Sequence, residues 1–147
     1  MKKLFIAIAG LLLVVNAGAQ NADSILNHYI KLKEALVTAH ASPATTYAGQ
    51  LASAIRSTPA FAGQVHLQKA ADKLAATTAL DPLRNAFNEL STLLWDAVKG
   101  NQTVSRSLYY QYCPMKKSYW ISFEKTIRNP YYGAAMLSCG KVVETKD

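Results

Sequence analysis

Two cysteines and two methionines near the C-terminus have the strongest claim to chemistry in this chain. Cys113 and Met115 stand two apart in Tyr112-Cys113-Pro114-Met115, and Met136 and Cys139 stand three apart in Met136-Leu137-Ser138-Cys139. Pro114 pushes Cys113 toward extended geometry, in which residues two apart share a face. Residues three apart lie on one side of a helical turn. Each arm is thus expected to present one thiol beside one thioether. Thiolates and thioethers are soft ligands that suit Cu(I), and by extension Ag(I), and match magnesium, calcium or manganese poorly.

A plainer reading competes for the same sulfurs. The chain opens with Lys2 and Lys3, then the apolar run Leu4 to Val15, then Asn16 and the small residues Ala17-Gly18-Ala19. That is the pattern of a secretory signal peptide over residues 1–19, cleaved after Ala19. Twelve apolar residues are too few for a bilayer core that needs about 20, so no stable membrane insertion is expected after cleavage. The expected location is outside the inner membrane, periplasmic if the cell has an outer membrane. Exported proteins with two cysteines commonly pair them. A Cys113–Cys139 disulfide would close a loop of about 27 residues and contribute roughly 3.5 kcal/mol in the chain-entropy model. Metal site and disulfide exclude each other at any one moment, although reduction could switch between them.

Other chemistry finds little support. His28, His40 and His66 show neither HxxxH nor HxH spacing, and there is no G-x-S-x-G, CxxC, CxxCH or phosphate-binding glycine loop. The expectation is therefore no enzyme, with the histidines structural or exposed. The tail also carries Tyr109, Tyr110, Tyr112, Tyr119, Tyr131, Tyr132 and Trp120, which are expected to fill a small core or rim. Removing Lys2 and Lys3 leaves 14 basic against 9 acidic residues. No run of five like charges exists, so the charge reads as solvation, and no nucleic-acid partner is expected.

The elements that must position the sulfurs come earlier. Asp23 or Ser24 can cap a first helix with an apolar stripe at Ile25, Tyr29, Leu32, Leu36 and Ala39. Ser42 as N-cap and Pro43 at the first helical position restart the chain, and Tyr47, Leu51 and Ile55 follow until Thr58-Pro59. A third helix is expected from Gln64 to Ala76. A fourth opens at Asp81-Pro82 and carries Leu83, Phe87, Leu90, Leu94 and Val98, with Gly100 as its stop. Short strands are predicted over Leu108 to Tyr112, Tyr119 to Phe123 and Lys141 to Glu144. Between the last two come an Asn129-Pro130-Tyr131-Tyr132-Gly133 turn and one helical turn from Ala134 to Ser138. The fold class is mainly α: an antiparallel four-helix bundle over 20–105 and a small β-containing cap over 106–147, in one domain.

These motifs resemble those of a bacterial family, domain of unknown function 3347. The resemblance rests on YCPM at 112–115, YWIS at 119–122, IRNPYYG at 127–133 and ML-CG at 136–140, with DSIL at 23–26 and the R-x-x-F of Arg84 and Phe87. The family occurs as small exported proteins and as a C-terminal domain on periplasmic adaptors of copper and silver efflux systems. The resemblance implies a metal-homeostasis accessory role at the cell envelope, with an efflux adaptor or another envelope protein as partner. Combined with the soft ligands, it points to Cu(I) or Ag(I) held by Cys113, Met115, Met136 and Cys139, with Trp120 or a neighbouring tyrosine as shield. The alternative is a disulfide-stapled, metal-free interaction module that docks onto an envelope protein.

Overall fold

The apolar stripes and the aromatic strands both form. A computed structural model of the chain describes residues 17–147, so the leader expected over 1–19 lies outside the described residues except for its last three. Four helices, α1 (Ala17–Val37), α2 (Ala41–Ser57), α3 (Gln64–Ala75) and α4 (Leu80–Val98), precede strands β1 (Leu108–Cys113) and β2 (Ser118–Ser122). A 3-10 turn at Gly133–Met136 then leads to β3 (Lys141–Lys146). The chain is mainly helical, with a small three-stranded antiparallel sheet at its C-terminal end.

Each helix packs on the next, and α4 also meets α1 and α2. Ile25, Tyr29, Leu32 and Leu36 of α1 are buried against Leu83, Phe87, Leu90 and Leu94 of α4 and the Leu51, Ile55, Leu67 and Leu74 side chains. Alanines 44, 48, 52, 70 and 71 are buried beside them, where small side chains allow close approach.

Three helix starts differ from the sequence expectation. Among the described residues the first helix is already formed at Ala17 and runs through Asp23, because the segment Ala17 to Ala22 contains no strong breaker except Gly18. It ends at Val37, and Ala39, just beyond with a left-handed φ of 58°, is exposed rather than part of the stripe. In α2 the helix starts at Ala41 after His40, and in α4 at Leu80 after Ala79, with no side-chain cap at either. Pro43 and Pro82 therefore sit third rather than first. The first turn tolerates them there because its N–H groups have no intrahelical acceptor.

The sheet has the order β2-β1-β3, with Tyr110 opposite Ile121 and Cys113 opposite Ser118. Alternation gives it two different faces. On the helical face Trp95 of α4 stacks on Tyr110 at 4.8 Å, Tyr110 on Tyr119 at 4.9 Å, and Tyr112 leans on Tyr119 at 4.6 Å. Gln111, Cys113 and Trp120 lie on the opposite face and are all fully buried. The Gln111 side-chain amide donates to the main-chain oxygens of Glu124 at 2.9 Å and Lys125 at 3.2 Å, so the segment after β2 covers this face.

An edge strand must find partners for its outward N–H and C=O groups or become an aggregation site. For β2 these partners are side chains. The Ile121 N–H donates to the Tyr29 hydroxyl at 3.0 Å, and the Tyr119 N–H to Asn88 Oδ1 at 2.8 Å. The Tyr131 hydroxyl donates to the Tyr119 carbonyl. Tyr29 also bonds Ser91 at 2.7 Å, and burial pushes its phenol pKa up, which keeps the hydroxyl protonated in this network.

Candidate functional site

The two cysteines reach each other from different elements. Cys113 is the last residue of β1, and Cys139 follows the 3-10 turn just before β3. Their sulfurs lie 3.7 Å apart and both thiols are free. A disulfide needs about 2.05 Å, so the bridge considered from sequence is not formed. Cys113 is fully buried, whereas Cys139 is only partly covered.

Asn129, wholly buried, does most of the positioning. Its side-chain amide donates to the Cys139 carbonyl at 2.8 Å, and its side-chain oxygen accepts from the Tyr131 N–H at 2.8 Å. Its main-chain N–H donates to the Leu137 carbonyl at 2.9 Å, and its carbonyl accepts from the Gly133 N–H at 3.1 Å. One side chain and its own peptide groups thus tie the NPYYG turn to the cysteine loop. From sequence, Asn129 reads only as a turn initiator. The available hint is the Asn-Pro pair, because an asparagine that bonds the main chain two residues on makes an Asx turn.

Two glycines allow the close approach. At Gly140 a Cβ would sit 2.8 Å from Trp120 Cη2 and 3.0 Å from the Tyr112 carbonyl oxygen. Only a residue without a side chain lets Cys139 lie this close to the sheet. Gly133, with φ of 55°, would place a Cβ 2.7 Å from the Val37 carbonyl oxygen and 3.0 Å from Arg84 Nη2. That pins the NPYYG turn to the end of α1. Arg84 of α4 locks the same junction: its Nε donates to the Pro130 carbonyl at 2.9 Å and its Nη2 to the Leu36 carbonyl at 2.9 Å. Phe87, one turn further, stacks on Tyr29 at 5.0 Å and tilts against Tyr131 at 6.1 Å.

The methionines flank this pair differently from the sequence expectation. Met115 is not in an extended segment. It sits in the Pro114–Lys117 turn between β1 and β2, where Lys117 has φ of 53°, and it is 65% exposed. The four-residue turn wins over the Pro114 preference because Cys113 pairs with Ser118. Even so, the Met115 main chain lies near enough to the Cys139 sulfur to favour its thiolate. Met136 is half-buried, and its carbonyl accepts from the Cys139 N–H at 3.1 Å, which closes the expected turn. Neither methionine packs in the hydrophobic core, whereas Cys113 belongs to it and Cys139 packs against it. Trp120 is buried and lies against Gly140, beside Cys139.

A soft metal fits the sulfur spacing. Two metal–thiolate bonds of about 2.3 Å at a tetrahedral angle put the sulfurs about 3.8 Å apart, close to the 3.7 Å found. Among the described residues no three His, Cys, Asp or Glu side chains gather, so the two cysteines have no third such ligand beside them. Burial, followed by the neighbouring Cys113 thiol, raises the Cys139 pKa, while the nearby Met115 main chain works the other way. The resting pair is therefore protonated at Cys139 near neutral pH, and a metal bound there displaces a proton. His40 and His66 are exposed and His28 is partly buried, away from this pair in sequence and element.

Comparison with known proteins bears on the helices. A family model described as protein of unknown function DUF3347 matches residues 25–106, more than half of the chain. The chain belongs to this family. No curated protein matches it, and no solved structure does. The DUF3347 match ends at Arg106, two residues before β1, so the cysteines lie beyond it. Arg84 and Phe87, inside the matched segment, are the side chains that reach out to hold Pro130 and Tyr131.

Proposed function

We propose that this DUF3347 protein is an exported, non-enzymatic accessory of metal homeostasis that holds Cu(I) or Ag(I) on Cys113 and Cys139. Met115 and Met136 complete an all-sulfur donor set. In this reading the helices form an antiparallel bundle that serves as a rigid base, and the cap is the working end. The observation that carries the reading is the unbridged pair of sulfurs 3.7 Å apart, one buried and one partly accessible. The exposure of Met115 adds support, because a methionine at 65% exposure is not filling a core. The metal is cargo. Cys113 anchors it from the sheet, and the Cys139 loop presents it to solvent and to a partner.

The expected location is the periplasm where an outer membrane exists, and the expected partner is an efflux-system adaptor or another envelope protein. Among the described residues no helix is long and apolar enough to cross a membrane. Lys116, Lys117 and Lys141 around the pair are exposed and make no ion pair among the described residues, which suits an acidic partner surface.

The test is a titration of reduced protein with Cu(I) against a competing Cu(I) chelator. Wild type should take one equivalent. Cys113→Ser should weaken binding by at least about 100-fold, since even outer-shell partners are worth 10–100-fold. Met136→Leu should weaken it by a smaller factor. Equal affinity in all three proteins rejects the site.

A further inference from the structure

The two thiols differ in access, and that difference gives the pair a direction. Cys113 has no exposed surface and sits in a strand hydrogen-bonded on both sides, where Tyr112 pairs with Lys141 and Cys113 with Ser118. Cys139 is partly open, in a loop whose neighbours Leu137 and Ser138 are exposed. An external disulfide can reach the second sulfur and not the first, yet the first lies only 3.7 Å behind it.

We propose that the pair performs directional thiol–disulfide exchange, in which Cys139 attacks an incoming disulfide and Cys113 resolves the product. Cys139, protonated at rest, first releases its proton to solvent; its thiolate then displaces one sulfur of the disulfide, so a mixed disulfide forms and one thiolate leaves. The Cys113 thiolate then attacks Cys139 Sγ, forming the Cys113–Cys139 bond and expelling the second thiolate. Two electrons pass from the protein to the incoming disulfide, which is reduced to two thiols, and the two thiol protons go to solvent or to the leaving sulfurs. Closing the bond requires the sulfurs to approach by about 1.7 Å, the difference between the resting contact and a bond of about 2.05 Å. The Cys139 loop supplies that movement, because the strand holding Cys113 is fixed on both sides. The oxidised state withdraws both thiolates, so the pair doubles as a redox gate on metal binding. The gate rests on the proposed function, but the exchange itself does not.

The experiment uses the reduced full chain, free of metal, with glutathione disulfide as the probe and acid-quenched intact mass and peptide mapping as the readout. Wild type should lose two hydrogens without accumulating a glutathionylated form. Cys113→Ser should stop at one glutathionyl group on Cys139. Cys139→Ser should react at least about tenfold more slowly, since access governs exchange. A substoichiometric pulse of iodoacetamide on reduced wild type needs no variant and should label Cys139 before Cys113. Label arriving first or equally at Cys113, or a wild-type mixed disulfide that does not resolve, overturns the proposal. Failure of copper binding with normal exchange rejects the metal reading alone.

Discussion

The helices and the cap are held together in opposite ways. In the helices, broad apolar stripes meet: Leu32, Leu36, Leu51, Ile55, Phe87 and Leu90 bury themselves against one another. In the cap, single polar groups aim at single main-chain atoms, as Asn129 does at Cys139, Arg84 at Pro130 and Tyr29 at Ile121. Stripes tolerate substitution when volume is kept. Polar staples do not, because a lost partner leaves a buried group unpaired. The DUF3347 match covers the tolerant region, while the candidate chemistry sits in the demanding one.

Substitutions that separate the two regions test this contrast. Leu90→Ala, in the buried face of α4, should cost about 2–5 kcal/mol of unfolding free energy in denaturant. In the folded fraction, the rate at which the two cysteines close on oxidation should be unchanged. A changed closure rate would mean that the helices tune the site directly.

Asn129→Ala should cost less, about 2–3 kcal/mol, by leaving the Tyr131 N–H and the Cys139 carbonyl without partners. Its closure rate should nevertheless fall clearly, measured as disulfide formed per minute at fixed glutathione disulfide. A normal rate would show that the loop holds its place without the staple.

Arg84→Lys joins the two regions. A lysine lacks the planar fork that reaches Pro130 and Leu36 together, so about 1–2 kcal/mol should be lost, the range of a typical hydrogen bond or two. Hydrogen exchange should locate the loosening at the NPYYG turn rather than within α2 or α3. Uniform loosening across the helices would contradict the assigned role.

Met115→Leu is the smallest perturbation. It should change stability by less than about 0.5 kcal/mol, as exposed substitutions do, and should weaken Cu(I) binding without altering disulfide closure. A large stability loss would place Met115 in the packing instead.

The stripes were legible in the sequence because helical periodicity records burial directly. Leu83, Phe87, Leu90, Leu94 and Val98 needed nothing else. The strands were legible from aromatic and β-branched composition, to within a residue or two at most ends. The polar staples were not, because each depends on a contact distant in sequence. Tyr29 reads as one more stripe residue, yet its hydroxyl serves a strand 92 positions away. Asp23 and Ser24 read as caps, yet the helix runs through them because nothing in the local chain forces a stop there. Pro114 favours extended chain at Met115, but the pairing of Cys113 with Ser118 requires a tight turn. Cys113 and Cys139 meet. The two sequence readings, a disulfide and a soft-metal site, both require that meeting, and the sulfurs stand unbridged at 3.7 Å.

X-ray absorption at the copper edge of the reduced, Cu(I)-loaded protein tests the central claim most directly. The account predicts a first shell of sulfur alone, with sulfur scatterers lost in Cys113→Ser and in Met136→Leu. A shell containing nitrogen or oxygen from protein side chains, or a spectrum unchanged in both variants, would contradict it.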